Sequence, residues 1–130
     1  MDQREQLGLC LLVIEDSDDT VEMFSKWLAV YGCRVRGAGS AAEGMQIMSV
    51  YKPDLVISDI GMPGVDGYEF IKAMRKRPEF QSIPAIALTG YSRDEDRELA
   101  IASGYNAHIG KPAEMPKLLE LIKRLTGRHD

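Results

Sequence analysis

Residues 54–64 read DLVISDIGMPG. An apolar run climbs to Asp59, and the chain then breaks into Gly61, Met62, Pro63 and Gly64. A short run without polar alternation suits a strand buried on both faces. Aspartate starts turns readily, and glycine and proline are the strongest breakers of regular structure. The stretch predicts a strand over 55–58 that delivers a carboxylate to an abrupt turn. Whether Asp59 merely opens that turn or stands there for chemistry depends on the rest of the chain.

Upstream, residues 9–14 (LCLLVI) form a second run of the same kind. Residues 18–31 follow, with Val21, Phe24, Leu28 and Tyr31 on helical spacing until Gly32 stops them. Residues 33–38 make a weaker strand. Ser40 and Glu43 form a capping box at the start of the next helix, and Pro53 lies beyond its end. Past the turn, Asp66 and Glu69 make another box-like start, and Phe70, Ile71 and Met74 line that helix before Pro78. Residues 83–88 (IPAIAL) are the fourth strand, with Pro84 at its beginning, where a missing N–H is tolerated. Ser92 and Glu95 box the fourth helix, which Gly104 stops. Ala107–Gly110 is the fifth strand. The last helix carries Leu118, Leu121, Ile122 and Leu125 on one stripe, with Pro116 in its first turn. The methionines Met45, Met48, Met62 and Met74 read as core.

Strands and helices alternate five times without an internal repeat or a linker. This predicts an α/β fold: a doubly wound, five-stranded parallel sheet with helices on both faces. The common strand order is 2-1-3-4-5, flavodoxin-like, with ligands bound where the winding reverses, beyond the carboxyl ends of the strands. The 130 residues form one domain, with a core over about 9–125.

In such a sheet the strand ends share one edge. Strand one ends in Glu15 and Asp16, strand three in Asp59, strand four in Thr89 and Gly90, and strand five in Lys111 and Pro112. Three carboxylates, a hydroxyl and an ammonium therefore converge, with Asp16 and Asp59 on neighbouring strands. Two carboxylates roughly 4 Å apart repel by about 4 kcal/mol at an effective dielectric of 20. Lys111 neutralises one unit and leaves about two, which a divalent cation would balance. An all-oxygen, carboxylate-rich set suits Mg²⁺, with Mn²⁺ as a substitute. His108 and His129 are too far apart in sequence, and Cys10 too deep in its run, to suggest zinc. Carboxylates and Mg²⁺ beside a lysine and a threonine make a phosphate-handling site.

Composition excludes other classes. The chain is 45% apolar, enough for a core, and its net charge of −4 opposes general nucleic-acid or anionic-lipid binding. No apolar run is long enough to span a bilayer, and the N-terminus lacks a signal-peptide core, which points to the cytoplasm. Two cysteines make no disulfide framework and read as buried free thiols.

The stretches LLVIEDS, LVISDIGMPGVDGYEF, AIALTGYS and AHIGKP together resemble the response-regulator receiver domains of two-component signalling, over residues 9–125. The resemblance implies a phosphoacceptor rather than a turnover enzyme, with at most slow self-dephosphorylation. Asp59 would take a phosphoryl group from a phosphohistidine on a histidine kinase or phosphotransfer protein. Glu15 (through water), Asp16, Asp59 and the backbone carbonyl of Gly61 would hold Mg²⁺. Lys111 would pair with a phosphoryl oxygen, and the Lys111–Pro112 peptide would be cis. Thr89 would swing to another oxygen, with the Gly90 backbone beside it. Gly61 and Tyr91 would tune the lifetime of the acyl phosphate, Gly61 by leaving space for water and Tyr91 by screening it.

The residue three before the lysine, often Tyr or Phe in that family, is His108 here. An imidazole filling the same slot is the plain reading, and a weakened or pH-sensitive switch is the functional one. The output partner would meet the fourth helix, fifth strand and fifth helix. With no basic recognition helix and no second domain, a stand-alone receiver and one excised from a hybrid kinase both fit.

Two rival readings fit part of the sequence. Residues 16–20 (DSDDT) match the D-x-D-x-T signature resembling haloacid-dehalogenase-type phosphatases, with Asp16 as nucleophile and Asp18 as acid/base. That reading leaves residues 59–64 unexplained and lacks a late acidic motif. The other rival is a degenerate receiver that docks independently of phosphorylation.

Overall fold

The computed structural model describes residues 6–60, 67–90 and 94–127. Five strands, β1 (Cys10–Ile14), β2 (Arg34–Ala38), β3 (Leu55–Asp59), β4 (Ala85–Thr89) and β5 (Ala107–Gly110), alternate with five helices. The helices are α1 (Asp18–Ala29), α2 (Ala41–Val50), α3 (Gly67–Lys76), α4 (Asp94–Ser103) and α5 (Met115–Thr126). A 3₁₀ turn over Pro78–Phe80 leads from α3 towards β4. All strand pairs are parallel, in the order β2-β1-β3-β4-β5. The predicted fold class and topology are those observed.

The central strands are buried on both faces because their residues alternate between two cores. Leu11, Val13, Leu55, Ile57, Ile86 and Leu88 face α1 and α5, where Phe24, Leu28, Leu118 and Ile122 meet them. Leu12, Ile14, Val56, Ala85 and Ala87 face the other way, towards Met48, Phe70, Ile71, Met74 and Ala100. The methionines at 48 and 74 are core, and Met45 packs against it. Met62 lies outside the described residues.

Local chemistry sets the boundaries. Ser17 caps α1, accepting a hydrogen bond from the Thr20 N–H at 3.3 Å, so neither Glu15 nor Asp16 is used as a cap. The helix ends at Ala29, short of Tyr31. Gly32 reverses the chain at φ +76°, and the Cys33 N–H returns to the Leu28 carbonyl. Ser40 accepts from the Glu43 N–H at 3.1 Å, but the Glu43 carboxylate reaches the Gly39 N–H rather than that of Ser40, so the box closes one residue early. The expected boxes at Asp66 and Ser92 lie outside the described residues. Pro84 precedes β4 instead of opening it, and its carbonyl accepts from Val56 N–H at 2.9 Å.

Both cysteines are free. Cys33 is buried as expected, but Cys10 opens β1 at the amino edge of the sheet and is only half-buried. Among the described residues no helix is long and apolar enough to cross a membrane.

Candidate phosphoacceptor site

The register carries the site. Asp59 extends β3 one residue beyond the apolar run because it pairs with Leu88, and Thr89 pairs with Gly110. The ends of β1, β3, β4 and β5 therefore lie side by side, as the sequence predicted. Glu15, Asp59 and Thr89 are buried, Asp59 to 1% exposure, while Asp16 is exposed. The Glu15 N–H is fixed on the Ala38 carbonyl at 2.8 Å, and its carboxylate oxygen accepts from the Asp16 N–H at 3.0 Å. The Lys111 N–H holds the Thr89 carbonyl at 2.7 Å, and the Lys111–Pro112 peptide is cis. The Lys111 ammonium donates to Asp59 Oδ2.

Among the described residues, negative charge outweighs positive here. Burial pushes the Glu15 carboxyl up to about 7, and the adjoining Asp59, in hydrogen-bond contact with it, pushes in the same direction. Asp16 adds to the repulsion and Lys111 opposes it. Removing two carboxylates from water beside one ammonium leaves negative charge that only a proton or a further cation can offset. Among the described residues no three His, Cys, Asp or Glu side chains gather into a self-sufficient metal cage. The donor set fits a hard ion that keeps much of its water, as Mg²⁺ does, better than one needing an all-protein cage.

Gly61 and Tyr91, expected to supply a carbonyl and to tune lifetime, lie outside the described residues. Gly90 is exposed, with open space where a side chain would project. His108 sits on β5 opposite Ala87, half-buried, and its Nε2 is buried without a hydrogen-bond partner among the described residues. Sequence reasoning missed Tyr105, whose buried hydroxyl donates to the Gly67 carbonyl at 2.7 Å. It also missed Arg75, which binds the Gly104 and Ile83 carbonyls at 3.0 and 2.7 Å and the Asn106 side chain at 2.8 Å. An arginine in a helix's last turn looks like an ordinary solvated charge until the loops around it are folded.

Comparison with known proteins agrees with this geometry. The family model described as response regulator receiver domain matches residues 11–123. An uncharacterised 14.6 kDa protein of Leptolyngbya boryana is 37% identical over 88% of this chain and 87% of its own. The polar-differentiation response regulator DivK of Brucella ovis is 29% identical over 90% of this chain and 95% of its own. Among solved structures, a putative response regulator from Chloroflexus aurantiacus superposes with a TM-score of 0.86 at 31% identity, covering 92% of this chain and 98% of that one. With the topology, the strand-end carboxylates and the family match in agreement, the chain belongs to the response-regulator receiver domain family of two-component signalling.

Proposed function

We propose that Asp59 is the phosphoacceptor. Its carboxylate oxygen attacks the phosphorus of a phosphohistidine on a histidine kinase or phosphotransfer protein. The P–N bond breaks, the imidazole leaves with its electron pair and gains a proton, and an acyl phosphate remains on Asp59. The observation that carries this reading is the Asp59 carboxylate itself, buried at a strand end, ion-paired with Lys111 and in contact with Glu15. A surface turn aspartate would need none of these.

Asp16, Asp59, the Gly61 carbonyl and, through water, Glu15 would hold Mg²⁺, which when bound supplies charge neutralisation for the transferring phosphoryl group. Lys111 is already on Asp59 and moves to a phosphoryl oxygen as the Asp59 charge is spread onto it. Thr89 and the Gly90 backbone lie on the adjoining strand end, within the same edge, to take up another oxygen. His108 fills the slot from which Thr89's movement is read out, and the surface of α4, β5 and α5 shifts between two populations. Gly61 and Tyr91 set the lifetime of the acyl phosphate. The protein acts in the cytoplasm, alone or as part of a longer regulator or kinase.

The test is intact-protein mass after incubation with acetyl phosphate, with and without Mg²⁺, for wild type and Asp59→Asn. One phosphoryl group gained only with both Mg²⁺ and Asp59 supports the reading. No gain in wild type with Mg²⁺ binding intact favours phosphorylation-independent docking. A gain that follows Asp16 instead favours the phosphatase chemistry.

A further inference from the structure

Tyr105 lies in the joint between α4 and β5, with its side chain 2% exposed in the core beneath α3 and α4. A tyrosine buried this deeply must give its hydroxyl a partner. The partner is the carbonyl of Gly67, the first residue of α3, at 2.7 Å. Gly67 is in turn pressed against Ile60. A Cβ on Gly67 would fall 2.7 Å from Ile60 Cγ2 and 2.8 Å from Ile60 Cα, so only glycine fits without displacing backbone. Ile60 follows Asp59 directly, and its N–H donates to the Leu88 carbonyl at 3.0 Å. Close contacts thus run from the buried hydroxyl to the backbone beside the proposed phosphoacceptor.

The other end of this path is fixed. The residue before Tyr105 is held by Arg75, whose Nε donates to the Gly104 carbonyl at 3.0 Å. The residue after it, Asn106, accepts through Oδ1 from Arg75 Nη2 and from the Ala85 N–H, each at 2.8 Å. The Asn106 N–H donates to the Ala85 carbonyl at 2.8 Å. With both neighbours tied down, the Tyr105 backbone has little freedom, and its hydroxyl is a fixed post against which α3 is set.

We infer that Tyr105 is a positioning residue for phosphoryl transfer: through Gly67 it holds the Ile60 backbone, and with it the Asp59 carboxylate, in line for attack. This rests on the reading of Asp59 as phosphoacceptor. Misplacement of a reacting group by 1 Å costs roughly 100-fold in rate. Loss of one hydroxyl contact through an intervening glycine displaces Asp59 by less, so a fall of about 5- to 20-fold is expected.

The test compares wild type, Tyr105→Phe and Tyr51→Phe. Tyr51 is the control, because its hydroxyl also donates to a backbone carbonyl, that of Arg34 at 3.2 Å, but far from Asp59. Phosphorylation by acetyl phosphate is followed at saturating Mg²⁺, and amide exchange is read at Ile60, Ile57 and Leu12. Tyr105→Phe lowers the maximal phosphorylation rate and speeds exchange at Ile60 more than at Ile57 or Leu12. Tyr51→Phe leaves the rate within about twofold of wild type. Equal rates in wild type and Tyr105→Phe overturn the inference, as does a parallel fall in both variants that merely tracks stability. A wild type that takes no phosphoryl group overturns the proposed function and this inference with it; a reactive wild type matched by Tyr105→Phe overturns the inference alone.

Discussion

At the carboxyl edge of the sheet, Glu15 and Asp59 are buried against each other with the Lys111 ammonium beside them. At the amino edge, Arg75 is half-buried and meets neutral oxygens, the carbonyls of Phe80, Gln81, Ile83 and Gly104 and the side chain of Asn106. Both edges take charge out of water, but with opposite accounting. The guanidinium's donors are spread over five acceptors, so its desolvation is offset by charge-assisted hydrogen bonds. Among the described residues the Lys111 ammonium stands against the buried carboxylate pair, and part of the pair's desolvation is left for other groups to offset. A saturated edge holds the loops still, and an unsaturated one suits the proposed uptake of a cation and a phosphoryl group.

The largest expected effect comes from breaking the saturated edge. Arg75→Ala removes the donor from the Gly104 and Ile83 carbonyls and leaves the Asn106 oxygen with the Ala85 N–H alone, and costs about 3–4 kcal/mol of stability. Arg75→Lys keeps the charge but cannot fork to several acceptors, and recovers less than half of that loss. Chemical denaturation with unchanged m-values checks both. A loss below about 1 kcal/mol for Arg75→Ala would mean that water replaces the guanidinium freely.

The unsaturated edge should show itself in pH. Between the ordinary value of 4.5 and about 7, folded Glu15 keeps a proton that the unfolded chain has released. For this group, stability is greatest below pH 4.5 and is lost as pH rises through 7. In metal-free protein the loss is on the order of 3 kcal/mol. Glu15→Gln removes that slope, and saturating Mg²⁺ flattens it by stabilising the ionised pair. Thermal melts across pH 5–8, with chelator or with Mg²⁺, test this. A slope that survives in Glu15→Gln would place the titration elsewhere. Asp16→Asn, which leaves the buried pair in place, weakens Mg²⁺ binding by about tenfold, roughly 1.4 kcal/mol by calorimetry.

The two edges also differ in how well the sequence announces them. The carboxyl edge could be read in advance because each of its residues directly follows an apolar run, so periodicity alone places Glu15, Asp16, Asp59, Thr89 and Lys111 together. The alternation of runs and capped helices gave the strand order by the same route. The amino edge was invisible, since Arg75 gathers its five acceptors from loop and strand-start positions that nothing local connects. Tyr105 was missed for a related reason: a tyrosine between a glycine and a strand reads as loop. Its partner Gly67 is 38 residues away. The depth of Cys10 was overestimated because an apolar neighbourhood in sequence does not say which end of the strand meets solvent.

His108 offers the smallest effect and the finest comparison of the two edges. Arg75 finds acceptors for its donors, whereas the buried Nε2 of His108 has no hydrogen-bond partner among the described residues. Among the described residues nothing compensates that ring nitrogen for the water it has given up. His108→Phe keeps an aromatic of similar shape and discards the nitrogen. It should therefore be neutral to stabilising, by about 0.5–1 kcal/mol in denaturant unfolding. A loss of stability instead would mean that the imidazole makes a bond to solvent or to neighbouring residues that outweighs its burial. The same variant decides what the imidazole does for signalling. If the phosphorylated forms of wild type and His108→Phe respond identically to pH, histidine merely fills an aromatic slot. If only wild type changes its surface with pH, the imidazole is part of the switch.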